Sequence, residues 1–427
     1  MHTFYADPAL RQRLVEFLGG DTLPHATAVH VTHTDGCLLD RRELRPPAEL
    51  DWFLERDIDI ARSLADSRSY LLHLDMEYVN FESPAEAFVD PERCFALQEP
   101  MVKVIESLLL GWGIRPLHLM TGRGHHFMWR IDRDSELACR IRDLCPAPEL
   151  VRPCLERMPP ILAGGIEPRD QEMFAALALV IEFLAHRIKE TVADVCLLPL
   201  ELTAVQSQRE IISLDISEYG DPLHTRVIRL PFSNYRKPWE SGLAYQHAIP
   251  PFRVIPLHEM DFREALRVRG NEVEVLALAR RACVRIPLQE DGTRRLLEDY
   301  LASRLRRIHQ HFYSDRHDPK ARWPETYDRT PLGDFPDDIH DLLAFPNDRL
   351  LKPAGLRAVT HCLLDRGWHP RHIAGLVRSK FENPRHGWGV DWNDYEPATR
   401  ADFYIRLFAC LRLTGLDASV KSHRAYD

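Results

Sequence analysis

Residues 70 to 78 read Tyr70-Leu71-Leu72-His73-Leu74-Asp75-Met76-Glu77-Tyr78. Their number and apolar content make them a strand. Side chains two apart on a strand leave from the same face, so Asp75 and Glu77 project together from the end of an apolar segment. Two carboxylates held side by side repel each other, and keeping them beside a hydrophobic core is costly unless a cation sits between them. Hard oxygen ligands of this kind suit Mg²⁺ or Mn²⁺, which proteins bind through one or two carboxylates together with substrate phosphates. A solvated strand end carrying two surface acids explains the same residues without any chemistry.

Downstream, residues 99 to 110 repeat apolar side chains at helical spacing, and Gly111 and Gly113 end that helix. Residues 114 to 120 and 125 to 131 then read as two strands joined by the tight turn Thr121-Gly122-Arg123-Gly124. Glycine lets the backbone turn sharply and approach a ligand, while the Thr121 hydroxyl, Arg123 and a following histidine offer donors to phosphate oxygens. Only one of His125 and His126 can share a face with Met128 and Arg130. A hairpin with merely exposed histidines is the simpler alternative. Residues 171 to 189 form a strongly apolar helix, and 210 to 216 and 226 to 230 are two further short strands. The first of these repeats the earlier setting, an apolar strand ending in one carboxylate, Asp215. Arg226, Arg229, Arg236 and Lys237 follow it, a cluster able to neutralise a triphosphate or a template backbone, or simply to pair with surface acids.

Strands mixed with packing helices make the first part an α+β or α/β domain. The stretch from 236 to 258, rich in proline and without periodicity, reads as a connector, and almost everything after it reads as helix: near 259–283, 291–312, 354–366, 370–381 and 398–414. The expected organisation is a catalytic domain over residues 1–250 and a helical accessory domain over 251–427 that binds nucleic acid or a partner. The pair flanking Gly367, with Pro370 in the first turn of its second helix, has a helix-turn-helix layout that fits either duplex DNA reading or ordinary packing.

With 427 residues and 45% hydrophobic content the chain can bury a sizeable core. A net charge of −9 and a pI near 6.2 exclude a surface coated with positive charge, so any nucleic-acid path must be local. One local candidate, Arg304, Arg306, Arg307, Arg316, Lys320 and Arg322, reads equally well as a solvated helix face. The apolar run at 173–185 is interrupted by Glu182 and too short to cross a bilayer, and the first residues lack a signal-peptide layout. No membrane association and a cytoplasmic location are therefore expected. Nine cysteines never form a C-x-x-C pair, so neither a disulfide framework nor a zinc ribbon is expected; Cys139, Cys145 and Cys154 lie close in sequence but match no common metal spacing.

Three motifs, LLHLDMEY, TGRGHHF and IISLD, resemble the archaeo-eukaryotic primase superfamily of small primase subunits and primase-polymerases. The likeness spans roughly residues 65 to 240. It extends past the third acid, where a tyrosine, an RxxRL pattern and a lysine are matched by Tyr219, Arg226, Arg229, Leu230 and Lys237. The resemblance implies a primase-type catalytic core, an RNA-recognition-like sheet plus an N-terminal α/β unit, followed here by an all-helical C-terminal domain. It implies that Asp75, Glu77 and Asp215 hold two divalent ions, Mg²⁺ or Mn²⁺. His126 would contact the incoming nucleotide beside Thr121 and Arg123, and Arg226, Arg229 and Lys237 would bind nucleotide or template. The implied activity is template-dependent nucleotidyl transfer as a DNA primase or primase-polymerase, with dNTP or NTP, template and primer as partners. Two departures stand out: GDPLHT lengthens the link between Asp215 and the arginines, and no cysteine-histidine zinc knuckle follows the core. Rival readings are a non-catalytic nucleic-acid-binding or replication-initiator protein on the same fold, and a metal-dependent nuclease.

Overall fold

A computed structural model describes residues 3–33, 43–146, 166–203, 209–220, 227–257 and 259–417. Arg226 and Cys154 lie outside them. Along the chain come α1 (Pro8–Phe17), β1 (Val31–His33), β2 (Ile60–Ser63), β3 (Ser69–Asn80), α2 (Pro91–Gly111), β4 (Leu117–Met120), β5 (Gly124–Asp132), α3 (Pro168–Val192), β6 (Leu200–Leu202), β7 (Glu210–Asp215), β8 (Val227–Arg229) and β9 (Ile255–Pro256). The helices after these include α4 (Phe262–Arg269), α5 (Glu272–Arg281), α6 (Glu290–Ala302), α7 (Arg304–Phe312), α8 (Asp337–Ala344), α9 (Pro353–Leu364), α10 (Pro370–Phe381) and α11 (Pro397–Thr414). The architecture is α+β with a helical C-terminal region.

Two sheets organise the first part. β1, β2 and β8 make a small antiparallel sheet, and the larger sheet runs β6-β7-β3-β5-β4-β9. Its central strands and two long helices follow the order β3-α2-β4-β5-α3-β7, with spatial order β7-β3-β5-β4, a split β-α-β arrangement. Leu72, Leu74 and Met76 alternate with the acidic positions and are buried. They face the helix layer, because His125, the cross-strand partner of Met76, packs its ring 5.2 Å from that of Phe95 on α2. The acids therefore occupy the other face.

Local chemistry explains where the helices start. Asp90 accepts from the Arg93 N–H and is followed by Pro91, so α2 begins eight residues before the stretch its periodicity marked. α3 opens on a reciprocal box between Glu167 and Asp170. The segments read as single helices over 259–283 and 291–312 are each two. Asn271 accepts from the N–H groups of Val273 and Glu274 and starts α5, and the Ser303 hydroxyl caps α7. Residues 236–257 of that stretch are also structured: they hold two short helices, and β9 pairs with β4 through Leu119–Pro256 and Met120–Ile255. The large sheet thus takes its last strand from beyond residue 250. One cluster of buried side chains runs from Phe4 to Leu411.

In α10, nine of twelve residues are buried. A helix that reads the major groove needs an exposed face, so the pair around Gly367 is internal packing.

Candidate active site

The strand register brings the three motifs together. Asp75 on β3 stands directly opposite Asp215 on β7 and opposite His126 on β5, while Glu77 stands opposite Gly124. Directly opposed residues share a face, so the two aspartates, Glu77 and His126 converge. Gly124 is required here: a Cβ on it would lie 1.8 Å from the Met76 carbonyl oxygen. His125 points the other way, its Nδ1 2.9 Å from His118 Nε2.

Asp75 and Glu77 each have a basic neighbour. His126 Nε2 lies 3.3 Å from Asp75 Oδ1, though without the geometry of a hydrogen bond. Burial works to raise the Asp75 carboxyl, but His126, His73 and Arg229 outweigh it and hold the group below the usual carboxylate range. Glu77 is ion-paired with Arg123; burial again opposes ionisation, and Arg123 and then Lys237 override it. The Asp215 carboxylate accepts from the Ser217 N–H at 2.9 Å. Side-chain exposure of 23% at Asp75 and 16% at Glu77 leaves the acids reachable from solvent.

The basic residues form a rim. Lys237 opens a short helix, and its strongest charge interaction is with Glu77, while Arg123, burial and Arg229 lower its pKa. Arg229 donates through Nε to Asp59 at 3.1 Å and lies over the Tyr235 ring at 4.6 Å. Thr121 sits at the turn but is buried, and its N–H donates to the Gly124 carbonyl at 2.9 Å.

Four further residues, His73, Glu218, Tyr219 and Arg269, belong to the site although the motifs did not mark them for a role. His73, on the same face two residues before Asp75, places Nδ1 2.9 Å from Glu218 and its ring edge-on to His126 at 4.6 Å. Burial lowers its proton affinity, yet Glu218 together with Asp75 and Asp215 overrides it and the pKa rises. The His73 N–H donates to the Tyr219 hydroxyl at 2.9 Å, so the turn after β7 is stapled to β3. Arg269, at the end of α4, donates to the Thr121 and Gly122 carbonyls at 2.9 and 3.3 Å and holds the glycine turn. The histidine in LLHLDMEY was legible as a same-face neighbour. Nothing in the sequence pairs Arg269 with a turn so far upstream.

The carboxylates are not drawn into one tight cluster. Among the described residues, the one set of three acid, histidine or cysteine ligand atoms lying within 4.8 Å of one another is Glu182, His309 and Cys410. Arg123 engages Glu77 while the His126 ring lies beside Asp75, so each of these two carboxylates has its own partner. Of the second basic cluster, Arg304 and Arg307 are exposed on α7 and Lys320 pairs with Glu382. No helix among the described residues is long and apolar enough to cross a membrane. The chain matches no protein family, no curated protein and no solved structure.

Proposed function

We propose that the protein is a template-dependent nucleotidyltransferase of the primase or primase-polymerase kind. The observation that carries this reading is the register that sets Asp75 opposite both Asp215 and His126, with Glu77 one pleat away. The β-α-β-β-α-β order of the central sheet supports the RNA-recognition-like core that the motif resemblance implies.

The donor set fits hard divalent ions. It consists of carboxylate oxygens, and buried Asp75 Oδ1 makes no hydrogen bond within the protein. Asp75, Glu77 and Asp215 would hold Mg²⁺ or Mn²⁺, which supplies Lewis-acid stabilisation of an attacking 3′-hydroxyl and an α-phosphate. Arg123, Lys237 and Arg229 neutralise the triphosphate and the leaving pyrophosphate. Arg123, now paired with Glu77, would be free to turn to phosphate oxygens where Glu77 serves as a metal ligand. His126, neutral because burial lowers its pKa, offers an N–H to a phosphate oxygen. Glu218 and Tyr219 hold β7 against β3 so that Asp215 and Asp75 keep their opposition.

A non-catalytic nucleic-acid-binding protein is the second reading, favoured by the existing ion pair of Glu77 with Arg123. Primer extension on a single-stranded template, with dNTPs or NTPs and Mg²⁺ or Mn²⁺, separates the two. Extension by the wild type that vanishes in Asp75→Ala/Glu77→Ala is expected, and product without primer makes the enzyme a primase. No extension by either protein, with template binding intact in both, sinks the enzymatic reading. Degradation of single strands without added nucleotides makes it a nuclease.

A further inference from the structure

Glu182 interrupts the apolar run of α3 and is completely buried. Around it converge His309 of α7, Nε2 to Glu182 Oε1 at 3.2 Å, and Cys410 of α11, all three ligand atoms lying within 4.8 Å of one another. We propose that this cluster is a structural site for Zn²⁺ or a similar borderline-soft divalent ion, clamping α7 and α11 onto α3. The proposal is independent of the nucleotidyltransferase reading.

The 3.2 Å between Glu182 Oε1 and His309 Nε2 suits two ligands of one ion. Tetrahedral zinc with bonds of about 2.0 Å to nitrogen and oxygen and about 2.3 Å to sulfur holds its ligand atoms roughly 3.3 to 3.7 Å apart. One carboxylate, one imidazole and one thiol from three helices make the mixed O, N and S set that zinc accepts and that Mg²⁺ does not favour.

Both outer contacts needed to orient such ligands exist. His309 Nδ1 lies 3.0 Å from the Tyr300 hydroxyl, and Glu182 Oε2 accepts from Arg406 Nε at 2.9 Å, so the two atoms that now pair with each other, His309 Nε2 and Glu182 Oε1, are the ones an ion between them would take. A further buried imidazole, outside that set of three, stands one helical turn along α3. His186 is 5% exposed, its Nε2 has no hydrogen-bond partner, and its strongest charge interaction is with Glu182. Burial keeps it neutral, lowering its pKa to about 4, which is the form that ligates.

The proton balance is simple. Without an ion the Cys410 thiol is protonated, its pKa raised by burial and by Glu182. Binding releases that one proton to solvent, while His309 shifts its own proton from Nε2 to Nδ1, where the Tyr300 oxygen accepts it. The ion, thiolate and carboxylate sum to zero charge, and Arg406 keeps its hydrogen bond to Glu182 Oε2.

The test is the metal content of the full chain purified without chelator, measured by mass spectrometry, with Cys410→Ala and Glu182→Gln alongside. About one zinc per wild-type chain, falling by half or more in Cys410→Ala, is the expected result. Reconstitution with Co²⁺ should add a sulfur-to-cobalt charge-transfer absorption that Cys410→Ala lacks, and this holds even if a variant folds poorly, because the band is read on the wild type. Wild-type protein that is folded, carries less than a tenth of an equivalent of metal and shows no such band with Co²⁺ overturns the proposal. So does zinc retained in full by folded Cys410→Ala.

Discussion

Asp75→Asn separates a functional acid from a structural one, because the two roles predict opposite couplings between activity and stability. In the free protein Asp75 faces Asp215 across the strand pair. At an effective dielectric of about 20, carboxylates about 6 Å apart, a spacing that directly opposed strands allow, repel by roughly 3 kcal/mol. The substitution removes that repulsion and the smaller one with Glu77, and it forfeits attraction to His126, His73 and Arg229. These changes oppose each other, so unfolding free energy should move by no more than about 1 kcal/mol. Activity should respond very differently. A metal contribution of several kcal/mol, at about 1.4 kcal/mol per tenfold, makes the loss about a thousandfold in primer extension. Urea unfolding and steady-state extension on the same preparations give both numbers. A stability loss above about 2 kcal/mol, with residual activity tracking the folded fraction, would refute the assignment and make Asp75 a structural residue.

Asp66 is the contrasting case: it accepts from Thr27 Oγ1, Arg62 and the N–H groups of Arg68 and Ser69 at 2.6 to 3.0 Å, and it and Arg62 have 3% and 1% side-chain exposure. Asp66→Ala strands a buried guanidinium and should cost about 3 to 5 kcal/mol in urea unfolding; a loss under about 1 kcal/mol would contradict the pairing. Although burial opposes it, Arg62 and the other donors depress the Asp66 pKa. Its contribution is therefore present above the unfolded value of about 3.9 and fades as pH falls through the lower folded value, so the Asp66→Asn difference should be constant from pH 5 to pH 8 and shrink in acid, below about pH 4. Arg269 forms no ion pair among the described residues and spends its buried guanidinium on the Thr121 and Gly122 carbonyls. Arg269→Leu should loosen the glycine turn and raise the nucleotide KM about tenfold, with kcat changed less than threefold; unchanged KM in a folded variant would remove Arg269 from the site.

The sequence determined the periodicities and therefore the pieces. The alternation in 70–78 made a strand with its acids on one face because a pleat sends successive side chains to opposite sides, and TGRG made a turn because glycine there avoids clashes other residues would suffer. It did not reveal the short first-turn caps that split the C-terminal helices, since Asn271 and Ser303 look like ordinary polar residues until their side chains meet free N–H groups. Only the tertiary structure decided which residues of separate strands stand opposite one another. Register follows from burying one whole face of each strand against the helix layer, and it alone set Asp75 against Asp215 and His126. The same holds for Arg269 at the glycine turn and for Glu182, His309 and Cys410: no local pattern links them, because helices distant in sequence meet through the fit of their apolar faces, and their polar side chains are carried together by it.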